Sequence, residues 1–169
     1  MKTFVIALAT LVLGAPSACV HEPTPGERAA SSVRAQCGDP KASQDETRVL
    51  REMTVIKAEA ITFPSGASTR SNSNTMSGTR LLVRPPDGVS AWELALILRC
   101  HRAKGLLGVS GFAALPADPF YVPDTWVAIN VKVETGFLVV ELSADPGWQN
   151  VDLLHRAIAF ADTHRAASP

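Results

Sequence analysis

Residues 125–145, TWVAINVKVETGFLVVELSAD, carry the pattern that most restricts the fold of this chain. Val127, Ile129, Val131 and Val133 alternate with Ala128, Asn130 and Lys132. After Thr135-Gly136, Leu138, Val140 and Leu142 alternate with Val139 and Glu141. Period-two alternation on both sides of a glycine turn predicts an antiparallel hairpin with one buried and one partly polar face. A lone hairpin cannot shield such a face, so further strands and a helical layer must cover it.

Two earlier segments supply strands. TVIKAEAITF, residues 54–63, places Val55, Ile61 and Phe63 on one side, and TRLLVRP places Leu81 and Val83 opposite Arg80 and Arg84. A polar stretch joins them, and the prolines of PPDG end the second strand. Ser90 with Glu93 three residues on forms a capping box that opens a helix through AWELALILRCHRAK, stopping at Gly105. Its first turns are apolar on nearly every side, which predicts cover from more than one layer. Val151 to His164 forms a final helix with the stripe Val151, Leu154, Ile158 and Ala161. Ser43 and Glu46 could open a short helix through Glu52, but residues 47–53 also read as strand. The predicted fold is α+β: an antiparallel sheet of about four strands with two helices on one face, in the order ββαββα.

The start of the chain is of another kind. MKTFVIALATLVLGAPSAC has a basic residue, an apolar run from Phe4 to Leu13, and small residues before Cys19, the layout of a secretion signal. It resembles the leader of a bacterial lipoprotein, with Ser17 and Ala18 before the cysteine and Pro16 departing from the family's aliphatic residue. The resemblance implies a signal peptide over 1–18, lipid on Cys19 and a membrane partner; the alternative is cleavage to a soluble periplasmic or extracellular form. Residues 19–45, rich in Pro, Ser, Ala and charge, read as a flexible, disordered tether, leaving 46–169 as a single domain. Lys plus Arg and Asp plus Glu number 16 each, so no net charge recruits nucleic acid. With Cys19 lipidated, Cys37 and Cys100 remain as an even pair in an oxidising compartment, open to disulfide formation.

Candidate chemistry centres on Cys100 and His101. Adjacent helix residues point about 100° apart, which suits neither shared metal ligation nor thiol activation. The simpler reading is a buried cysteine, or half of a disulfide, beside a partly exposed histidine. The sharper one is a copper or zinc site using Cys100 and His101 with His155 or His164. Asp39, Asp118 and Asp145 each precede proline and read as turn starters. GVSG at 108–111 lacks nucleophile-elbow spacing, no C-x-x-C or phosphate loop is present, and no cofactor is expected. Glu134 and Glu141 fall on the two hairpin arms, on a solvent face. Residues 105–124 form a glycine- and proline-rich connection, and Phe112, Phe120, Tyr121 and Trp126 concentrate in the stretch 106–126, read either as a loop closing over the sheet edge or as a patch binding a protein or small molecule.

Residues 129–162, with a strand, a glycine turn, a valine-rich strand and an alanine-containing helix, resemble the core of BON-type domains, small envelope modules of membrane or partner attachment. The expected function is a non-catalytic cell-envelope binding or structural lipoprotein. The rival is a periplasmic metal- or thiol-handling protein centred on Cys100 and His101.

Overall fold

The computed structural model describes residues 21–37, 41–64, 74–109, 115 and 117–165. The leader 1–18, Cys19 and Phe112 lie outside the described residues. Four strands, β1 (Thr54–Pro64), β2 (Asn74–Arg84), β3 (Trp126–Glu134) and β4 (Phe137–Asp145), form one antiparallel sheet in the spatial order β1-β2-β4-β3. The β3–β4 register runs from Trp126 opposite Asp145 to Glu134 opposite Phe137, and Gly136 closes the turn at φ +79°. Glycine adopts that left-handed conformation at no steric cost.

Among the described residues four α-helices accompany the sheet, two more than expected: α1 (Pro25–Gln36), α2 (Lys41–Glu52), α3 (Ala91–Leu106) and α4 (Asn150–Thr163). The tether reading is therefore corrected over residues 25–36 and 41–45, which are helical, and residues 46–52 are helix. Helix α1 begins where Thr24 accepts the Glu27 amide, Glu27 accepts the Thr24 amide, and Pro25 fills the first helical position. Proline has no amide to lose there, and the reciprocal caps satisfy two otherwise orphaned donors.

Helix α3 starts at the expected Ser90–Glu93 box. It runs through Gly105 to Leu106; the left-handed glycine that follows its end is Gly108, at φ +59°. Against it pack β3 on one side, α1 on another and α2 on a third, so Leu94, Leu98 and Ala103 are fully buried. Helix α4 covers β1 and β2. Core side chains come from every layer, including Val49 and Met53 of α2 and its end, Leu81, Val83, Val140 and Leu142 of the sheet, and Leu153 and Phe160 of α4.

Two faces differ from the expected ones. A bulge between Val55 and Lys57 shifts the β1 register, so Val55 enters the core while Ile61 and Phe63 join the helix-free face. One extra residue in a strand reverses the facing of all that follow. In α4 the buried stripe is Leu153, Ala157, Phe160 and Ala161, whereas Val151 and Ile158 are exposed. The rotation is set by Asn150, whose Oδ1 accepts the buried Ala144 amide at 2.7 Å.

Gly78 of β2 has no room for a side chain, because a Cβ there would lie 2.4 Å from the Leu142 carbonyl oxygen. Gly78→Ala is expected to cost about 1–3 kcal/mol in thermal or urea unfolding, since strand backbone must move. Gly26, in α1, meets nothing within 4 Å. Gly26→Ala should be neutral or stabilising by about 0.5–1 kcal/mol; equal effects at the two sites would refute this assignment.

Candidate functional site

His101 lies on the stripe Leu94, Ile97, Leu98 of α3, which faces the interior, and is 2% exposed. This corrects the expectation of a partly exposed side chain. Its Nδ1 is 2.9 Å from Glu46 Oε1 and its Nε2 is 2.6 Å from Asp118 Oδ2. Two carboxylates facing two ring nitrogens require both nitrogens to donate, so the ring is an imidazolium. Burial alone would lower its pKa; the bonds to Asp118 and then Glu46 outweigh burial and raise it from 6.5 to about 9.

Each carboxylate is itself tied down. Glu46 is a buried member of the α2 stripe that continues through Val49, Leu50 and Met53, and Lys104 Nζ reaches its second oxygen at 2.5 Å. Burial would raise the Glu46 pKa, but the bonds from His101 and Lys104 prevail and hold it below the ordinary carboxylate value. Asp118 Oδ1 accepts the Phe120 and Tyr121 amides at 2.9 and 3.2 Å. His101 and Lys104 thus balance two carboxylates, and the cluster fastens α2 and the 117–124 connection to α3. A buried charge set is tolerable only when every member is paired in this way.

Cys100 points elsewhere, as adjacent helix residues must. Its sulfur is bonded to that of Cys37 at 2.10 Å, with the Cα atoms 5.7 Å apart, fastening the end of α1 to α3. The pair named in the metal and thiol readings therefore serves two separate attachments. A disulfide sulfur is neither a thiol nucleophile nor a thiolate ligand, and a metal at His101 would have to displace a carboxylate from a ring nitrogen. Among the described residues, no group of three His, Cys, Asp or Glu could hold a metal ion. His155 is exposed on α4, and His164 stacks on Phe160 with centroids 3.9 Å apart.

Among the described residues of the connection, Phe120, Tyr121 and Trp126 do not form an exposed patch. Phe120 is fully buried, edge-on to Phe160 at 5.4 Å, and Tyr121 is half-buried. Trp126 is half-buried beneath Arg102, whose guanidinium carbon lies 3.6 Å from the ring centroid. Burial, with Arg99 nearby, lowers the Arg102 pKa to about 10. Arg102 donates to the Val127 carbonyl at 2.5 Å and Arg99 to that of Ile129 at 3.1 and 3.2 Å. These arginines cover two outward carbonyls of the edge strand β3, which guards it against pairing with another chain.

Glu141 lies on the helix-free face and pairs with Lys132 and Arg80, continuing a charge ladder through Glu59 and Lys57. Glu134 is exposed near the turn. Beside the ladder runs an open groove of about 470 Å³ lined by Ile61, Phe63, Ser77, Ala128 and Ser143. Among the described residues, no helix is long and apolar enough to cross a membrane. No protein-family model matches the chain, and no curated protein or solved structure matches it either.

Proposed function

We propose that this protein is a non-catalytic binding or structural module of the cell envelope, held to a membrane by lipid on Cys19. The observation that carries the reading is the use of the chain's most reactive groups as fasteners. Cys37 and Cys100 share a disulfide, and both nitrogens of buried His101 are bonded to carboxylates. A disulfide also suits an oxidising compartment beyond the cytoplasm. The leader pattern and the BON-like character of residues 129–162 point the same way.

Cell fractionation tests the anchor. The wild-type chain is expected with the membranes and Cys19→Ser in the soluble fraction; a Cys19→Ser protein that stays with the membranes would overturn the reading.

A further inference from the structure

We infer that the end of the domain bearing Trp148 and Val151 rests in the membrane interface beside the lipid of Cys19. The inference rests on the anchor reading above and adds to it an orientation and a contact surface.

The chain enters the fold very near the anchor. Glu22 Oε1 is 2.9 Å from Arg28 Nη2, and Arg28 Nη1 is 2.9 Å from Asp145 Oδ2. Glu22 is three residues from Cys19. Three residues reach at most about 10 Å. Lipid on Cys19 therefore brings the Arg28–Asp145 end of the domain to the headgroup layer.

That end carries the apolar groups an interface takes up. Asp145 is the last residue of β4, and a 3-10 turn, Gly147–Gln149, follows after Pro146. Trp148 on this turn is 76% exposed, and Val151 in the first turn of α4 is 53% exposed. Exposed Phe63 lies at the same end of the sheet, because β1 ends beside the start of β2 and β2 runs antiparallel to β4. The turn is held firmly: Asn150 accepts the Ala144 amide, and the Thr125 hydroxyl bonds to Gln149. Trp92, also largely exposed, lies at the opposite end, since α3 starts beyond the end of β2 and reaches the start of β3 through Arg102.

Tryptophan favours the bilayer interface, where its ring is taken up by apolar matter and its N–H stays hydrated. Arg28 at this end is already paired with both Glu22 and Asp145, so attraction to anionic headgroups is not the driving term. The fitting partner is a zwitterionic phospholipid surface, entered by apolar side chains.

The test uses the full lipidated protein in phosphatidylethanolamine–phosphatidylcholine vesicles with brominated acyl chains, which quench nearby tryptophan. Trp148 is expected to supply most of the quenchable emission of the three tryptophans. Trp148→Phe should abolish most of the quenching, and Trp92→Phe should leave it in place. Absent quenching in the wild type, or equal quenching in wild type and Trp148→Phe, would overturn the orientation while leaving the anchor standing. Membrane retention of Cys19→Ser would instead overturn the anchor, and the orientation with it.

Discussion

His101→Ala is expected to destabilise the fold by about 3–5 kcal/mol, the usual cost of removing one member from a buried ionic network. The variant would leave Glu46 and Asp118 in the interior without the cation that both face, along with a cavity the size of an imidazole. Glu46→Gln should cost less, because His101 keeps Asp118 and the amide oxygen of glutamine still accepts from Lys104. Urea unfolding with the disulfide intact measures both; a His101→Ala loss under about 1 kcal/mol would sink the keystone role.

The same cluster sets the sign of the pH dependence. His101 titrates near 9 in the fold against an ordinary 6.5, so its contribution is complete below about pH 6.5 and is lost as the pH rises through about 9. The interval corresponds to on the order of 3 kcal/mol for this buried group. Glu46 is held low, so its own contribution is lost at the acid end, as the pH falls below the ordinary carboxylate range. Stability should therefore decline toward alkaline pH in the wild type, and the decline should be much shallower in His101→Ala.

Local signals announced much of this fold, while the cluster depends on distant contacts. The β3–β4 hairpin and the Ser90 box are encoded within a few residues, and both form where the pattern places them. Two members of the cluster were within reach of the same kind of argument. His101 continues the apolar series 94, 97, 98, and Glu46 heads the series 46, 49, 50, 53, so helical geometry alone sends both inward. What no local pattern supplies is their meeting across 55 residues, or Asp118 arriving from a connection whose Asp-Pro pair reads only as a turn. Helix α1 shows the opposite limit. Thr24-Pro25-Gly26-Glu27 is a start signal, but the polar helix behind it buries only Ala29. Composition therefore disguised it as tether. The β1 bulge and the rotation of α4 were likewise set by partners: a neighbouring strand and the Ala144 amide.

That thin burial of α1 makes the disulfide the second large contributor. Cys37 and Cys100 are 63 residues apart in sequence, and closing a loop of that length in the unfolded chain is worth roughly 4 kcal/mol. The Cys37→Ala/Cys100→Ala protein is the cleaner test, since it places neither a free thiol nor a hydroxyl at the buried Cys100 position. It should unfold at markedly lower urea than the oxidised wild type, and alkylation of denatured wild type without reductant should find neither Cys37 nor Cys100 reactive. Hydrogen exchange should show a graded response. The amides of α1 open first once the bond is gone, because Ala29 and the Arg28 ion pairs are weak holds, whereas α3 stays protected by β3, α2 and its own buried face. If α1 exchanged no faster in the double variant than in the wild type, the bond would not be what keeps it docked. The helix would then be held by the Glu22–Arg28–Asp145 ion pairs instead.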